Sequence, residues 1–154
     1  MDNNKKKQAN AFEGFAYNHL INELKWAVTH YVTEEDQRTK GENHQGIEIK
    51  NDQAYNKTGN LYISVKRVYN GFEYGSGIYR DTETKQLFYL IGDHNNFWLI
   101  ATKHLKAYYE QNNLKLIPGF RTHTGGQEYG FLLPVEKAEK LCAYSYTNQQ
   151  ALDL

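Results

Sequence analysis

Glu48, Lys50 and Asp52 recur at every second position of "IEIKNDQAYNKTGNLYISVK", residues 47–66, and Ser64 and Lys66 follow in its second half. An acid, a hydroxyl and an ammonium brought together suit hydrolysis of a phosphodiester. A divalent cation needs hard oxygen ligands, usually one or two carboxylates completed by water and phosphate. The cation activates a water and screens the phosphate. A nearby lysine orients that water or neutralises the developing charge. In this chemistry Asp52 is a metal ligand and Lys66 the water-orienting cation. Ser64 is a hydrogen-bonding or weak outer ligand, because a hydroxyl has no formal charge and binds Mg²⁺ less well than a carboxylate.

The elements that must position these groups are two strands. Side chains alternate across a strand, so Glu48, Lys50 and Asp52 share one face, and Ile47 and Ile49 the other. On the second strand Tyr62, Ser64 and Lys66 share a face opposed by Leu61, Ile63 and Val65. If 57–60 is a hairpin turn and the apolar sets share a core, the polar sets share a surface, because a one-residue slip buries the charges. Asp52 then falls opposite Ser64 or Lys66. Alternating acids and lysines are also the pattern of a half-exposed hairpin with cross-strand ion pairs. A further acid, Glu13, lies in line with Ala16, Leu20 and Leu24 on the apolar face of a helix expected over 9–32. There it wants a partner or a metal, unless it belongs to a first turn where acids suit the dipole.

Residues 1–8 read as a solvated tail and 33–45 as a charged connection. "QLFYLI" and "FWLIA" are near-continuous apolar runs that suit central strands covered on both faces; the turn Gly92–Asn96 separates them. A short helix is expected from Thr102, a strand at 129–133 and a last helix near 134–142, with a frayed tail over 145–154. Together these give one mixed α/β domain over 1–154. Arg121 and His123 beside a Gly-Gly loop could meet a nucleic-acid backbone. Tyr69, Phe72 and Tyr74, near Arg67 and Arg80, suit base stacking or ordinary strand packing.

The chain holds 18 basic and 18 acidic residues, for a formal net charge of zero. That counts against holding nucleic acid by bulk charge but not against an acidic metal site beside a local basic patch. Cys142 is the single cysteine, so no internal disulfide forms. None of the six histidines is spaced as a metal-ligand pair. No run approaches the roughly 18 apolar residues of a membrane span, and no signal peptide opens the sequence. The expectation is a soluble, cytoplasmic protein with no membrane partner.

Across roughly residues 9–140 the order of motifs resembles the PD-(D/E)XK, or restriction-endonuclease-like, nuclease superfamily, and within it small phage and prophage proteins. The motifs are Glu48-Ile49-Lys50-Asn51-Asp52, then Thr58-Gly59-Asn60, Ser76-Gly77-Ile78, Gly125-Gly126 and Leu132-Leu133-Pro134. The resemblance implies a central mixed sheet of about five strands flanked by helices. It implies a Mg²⁺- or Mn²⁺-dependent DNA endonuclease, often a homodimer, that cuts by metal-activated water. Lys50, Arg67 and Arg121 would touch the nucleic acid. The family pattern puts Glu where this chain has Ser64, which leaves three readings open. The site works as a Ser-x-Lys variant, with Glu13 or Glu48 preferred over Glu73 and Glu83 as the replacement acid. Alternatively the metal is lost, and the fold binds DNA or a host protein without catalysis. Lastly, the working strand is Glu48-Ile49-Lys50, with Asp36 before it across eleven intervening residues, the same gap as from Asp52 to Ser64.

Overall fold

The computed structural model describes residues 3–25, 35, 46–122 and 124–148. Asp36, His123 and the charged connection expected over 33–45, apart from residue 35, lie outside the described residues, as does the part of the first helix expected beyond residue 25. Helix α1 spans Asn3–Asn22. It buries Phe12, Ala16 and Leu20, a stripe at four-residue spacing that faces one way on a helix. Residues 3–8 of the solvated tail expected over 1–8 are exposed, as expected, but helical rather than a tail: lysine and glutamine are good helix formers however polar the segment is.

Strand β1 (Ile47–Asn51) is followed by a single helical turn, α2 (Tyr55–Thr58), then by β2 (Asn60–Tyr69) and β3 (Phe72–Gly75). A 3-10 turn covers Gly77–Tyr79. Next come β4 (Phe88–Gly92), β5 (Asn96–Ala101) and helix α3 (Thr102–Gln111). The chain continues through β6 (Ile117–Arg121), β7 (Gln127–Pro134), helix α4 (Val135–Leu141) and β8 (Tyr144–Thr147).

The strands form two sheets of four, in the orders β1-β4-β5-β8 and β3-β2-β7-β6. This corrects the expected central sheet of about five strands; the mixed α/β class holds. Sheet one is mixed, with β1 parallel to β4 and antiparallel pairs beyond it. Sheet two is antiparallel throughout. The expected β1–β2 hairpin does not form, because Asp52 folds the connection. Its Oδ1 accepts the Ala54 N–H at 2.9 Å, and the turn that follows closes at Gly59 with φ +74°, a conformation that favours glycine. The chain thus leaves sheet one and enters sheet two.

Both faces of sheet one are covered. Ile47 and Ile49 pack with Phe12, Ala16 and Leu20 of α1. Tyr89, Ile91, Trp98 and Ile100 meet Leu61, Ile63, Phe131 and Leu133 of sheet two, closed by Leu105 of α3 and Ala138 of α4. The two apolar runs are therefore central strands, as expected. The frayed tail expected from 145 is corrected through Thr147. Tyr144 and Tyr146 of β8 pack around Phe97 and His19, so an alternation hidden in a polar segment supplies an aromatic face. Among the described residues no helix is long and apolar enough to cross a membrane.

Candidate functional site: a cleft bridged by residues 76–80

Asp52 serves as a brace. Besides holding Ala54, it accepts the Tyr62 N–H on Oδ2 at 2.9 Å, so both oxygens tie the end of β1 to the start of β2. Ser64 and Lys66 part company. The register of β2 on β7 pairs Ser64 with Gly130 and Lys66 with Tyr129, which leaves Val65 as an extra residue, and then pairs Arg67 with Glu128. Such a bulge shifts the alternation by one. Paired residues share a face, so Ser64, Arg67 and Glu128 lie together on the outer face of sheet two. Lys66 lies on the inner one, bonded to Glu73 at 2.8 Å and 5.9 Å from the Tyr129 ring centroid. The Glu73 hydrogen bond holds the Lys66 ammonium above its usual range. The expected grouping of Ser64 with Lys66, and of both with Glu48 and Asp52, is corrected by this bulge and by the separation of β1 and β2 into different sheets.

The acid that meets Ser64 is Glu128. Its Oε2 accepts the Ser64 hydroxyl at 3.2 Å, and its Oε1 accepts Ser76 at 2.6 Å and Arg67 at 3.4 Å. Tyr62 shares this face; burial first, and the Glu128 charge second, push its hydroxyl up to about 12. The segment 76–80 runs close against β2. The Ser76 N–H bonds the Val65 carbonyl at 3.0 Å, and Gly77, at φ +54°, lies where a Cβ would overlap the Ser64 carbonyl. Arg80, at the end of the segment, reaches sheet one.

There it meets Glu48, which is 4% exposed. The Arg80 and Lys50 nitrogens each lie 3.0 Å from a Glu48 oxygen, Arg80 at Oε2 and Lys50 at Oε1. Glu48 and Lys50 share a face because β1 pairs with β4 without interruption. A buried carboxylate is retained where cations and hydrogen bonds offset its lost hydration. Glu13 is on α1, which packs on the opposite face of β1, the one carrying Ile47 and Ile49.

Arg67 and Arg80 line one cleft of about 290 Å³, with Ser76, Thr122 and Thr124 supplying hydroxyls and Tyr69 and Tyr74 forming an aromatic wall. The loop from 122 to 126 is pinned by the Gly126 N–H on the Thr122 hydroxyl at 2.8 Å. Arg121 pairs with Gln127, and Gln127 with Val68, which puts it on the face opposite Arg67. Of the expected nucleic-acid contacts, Arg67 is thus in the cleft, Lys50 joins it through Glu48, and Arg121 stands apart.

Asp52, Glu13 and Glu48, the expected ligands, are not brought together. Among the described residues no group of three or more His, Cys, Asp or Glu side chains is placed to hold a metal ion. Asp52 is engaged by two backbone N–H groups and Glu48 by two cations, so this donor set does not fit a shared divalent ion. Sequence reasoning missed Glu128 and the bridging role of Arg80. The apolar alternation that opposes Leu61 to Leu133 and Ile63 to Phe131 could have paired β2 with β7; the bulge that follows has no such signal. No family model, curated protein or solved structure matches this chain.

Proposed function

We propose that the protein binds nucleic acid, DNA in the first instance, by its phosphate backbone at the bridged cleft. The observation that carries this is the pair Arg67 and Arg80, drawn to one cleft from different segments and each positioned by a carboxylate. A guanidinium has five N–H donors in a planar fork, more than one carboxylate contact occupies, and it suits phosphate oxygens. The Thr122 and Thr124 hydroxyls, which share one hydrogen bond between them, add a neutral donor of the kind that fixes a backbone in place. With 18 charges of each sign, attraction must come from this local site. A cytoplasmic location and a homodimer go with the reading as further expectations.

The test is fluorescence anisotropy of a labelled oligonucleotide across a salt series. Arg67→Ala should weaken binding about tenfold and reduce the salt slope by about one; Arg80→Lys, which keeps a cation beside Glu48, should weaken it less. An unchanged slope in a folded Arg67→Ala variant sinks the reading.

A second reading, metal-dependent DNA cleavage, is favoured by one observation. Glu48-Ile49-Lys50 keeps its acid and its lysine on one face beside the cleft, whereas Ser64-Val65-Lys66 does not. Plasmid, branched and single-stranded DNA offered in Mg²⁺ or Mn²⁺ would decide it. On this reading Glu48→Gln and Lys50→Ala abolish cutting, and Asp52→Asn and Lys66→Ala leave it intact. Cutting that depends on Lys66 instead returns the working strand to β2. No cutting of any substrate leaves the binding function alone.

A further inference from the structure

The open face of sheet two carries more aromatic surface than its fold uses. Phe72 is 67% exposed, Tyr74 53% and Tyr69 36%. The antiparallel pairing of β2 with β3 sets Arg67 opposite Tyr74 and Tyr69 opposite Phe72. Partners share a face, and residues two apart on one strand share it as well. All four side chains therefore stand on the outer face, and Arg67, Tyr69 and Tyr74 among them line the cleft. Lys66, Val68 and Glu73 take the inner face, so the charged pair on this hairpin points away from the aromatic surface.

We propose that this face binds single-stranded nucleic acid. Tyr69, Phe72 and Tyr74 stack unpaired bases, and Arg67 holds the phosphate between them and the cleft. The inference rests on the phosphate reading above and adds the form of the substrate. Aromatic side chains beside a cation are the two elements of a single-strand site: rings accept any base face, and guanidinium tracks the backbone. The geometry favours spread bases over a duplex. The two cross-strand pairs lie two residues apart, about 7 Å along the strands, which is twice the rise of about 3.4 Å between stacked bases in a duplex. A chain that uses both pairs must have its bases unstacked. A duplex keeps its base faces covered and offers this surface only phosphate. The cleft, at about 290 Å³, is at the small end for a ligand pocket and suits a phosphate and sugar, with the bases left to the aromatic face beside it.

The experiment compares a fluorescein-labelled oligothymidine with a hairpin duplex of the same nucleotide count, by anisotropy at fixed salt. Single strand should bind at least tenfold more tightly. Phe72→Ala and Tyr74→Ala should each lower single-strand affinity about tenfold, with duplex affinity and melting temperature unchanged, since both residues are exposed. Tyr74→Phe should keep the affinity, and a tryptophan placed by Phe72→Trp should be quenched by the single strand. Equal affinity for both forms, with the alanine variants silent, overturns the aromatic platform while Arg67→Ala still reports on the cleft. If Arg67→Ala is silent too, the cleft reading fails with it. Self-association of the wild type that Phe72→Ala removes, with no oligonucleotide bound, overturns the inference in favour of a protein contact.

Discussion

Strands β1 and β2 each carry a polar residue two positions before a lysine, and the sheets they belong to give the two motifs opposite fates. In β1 the pleat is unbroken, so Glu48 and Lys50 meet on one face, and sheet one is covered on both sides, so Glu48 is buried. In β2 the extra residue Val65 turns Lys66 to the inner face and brings Arg67 to the side of Ser64. On sheet two Ser64 is buried under segment 76–80 with Glu128 as its acceptor, while Arg67 lines an open cleft. The spacing x-Lys thus says which residues share a face only where the ladder has no bulge. Burial of the paired acid then decides whether the motif holds the fold together or stays available to a ligand.

The largest expected effect separates the two lysine motifs by stability. Glu48→Ala removes the carboxylate that Arg80 and Lys50 share and should cost about 3 kcal/mol, the low end for breaking a buried pair because Arg80 is a quarter exposed. Denaturant midpoints would measure it. Lys66→Ala breaks an ion pair at the surface and should leave the midpoint unchanged. Equal losses from the two variants would mean that the difference in burial between β1 and β2 carries no energetic weight.

A smaller effect concerns the acid that replaces the one expected beside Ser64. Glu128→Ala leaves the hydroxyls of Ser64 and Ser76 and the Arg67 guanidinium without their acceptor, a loss of about 1–2 kcal/mol, whereas Glu73→Ala should change nothing measurable. Ultraviolet titration adds a readout specific to this face. Tyr62 ionises near 12 because of burial and then Glu128, so Glu128→Ala should lower that value while burial keeps it above 10.0, the ordinary value. The folded value exceeds the unfolded one. Tyr62 therefore contributes stability that is complete below about pH 10 and disappears as the pH climbs through about 12. An unmoved Tyr62 titration would place Glu128 elsewhere.

What the sequence made legible follows the same division. The runs of β4 and β5 and the turn at Asp93 could be read because each depends on neighbours in the chain: continuous apolar residues, or a side chain bonding the backbone two and three residues on. The stripe of Ala16 and Leu20 on α1 was legible for that reason too. The parallel pairing of β1 with β4 joins residues 41 positions apart, and nothing local marks it. The bulge at Val65 is equally silent, since Ile63, Ser64 and Val65 are all buried, and alternation alone assigns Lys66 to the wrong face. Glu48 could be singled out as an acid on a polar face. Its partner Arg80 could not, because the segment 76–80 that delivers it has no regular period.

The smallest effect tests why sheet one has no open face. Its outer side is closed by α1, and His19 fastens that helix to β8 with a 2.7 Å hydrogen bond to the Tyr144 hydroxyl, among the rings of Phe15, Phe97 and Tyr146. Burial lowers the His19 value below the ordinary 6.5, and the charge of Glu23 opposes that shift only in part. The folded value lies below the unfolded one, so the unfolded chain takes up the proton first. The stability that neutral His19 contributes is present above pH 6.5 and is lost as the pH falls through the lower, folded value. The expected loss is at most about 1 kcal/mol, because the group is partly screened by solvent. Hydrogen exchange read at neutral and mildly acidic pH should show α1 and β8 losing protection first, while β2 and β7 keep theirs. His19→Gln should remove that pH dependence. If acid loosens both sheets together, α1 is not a separable cover of sheet one.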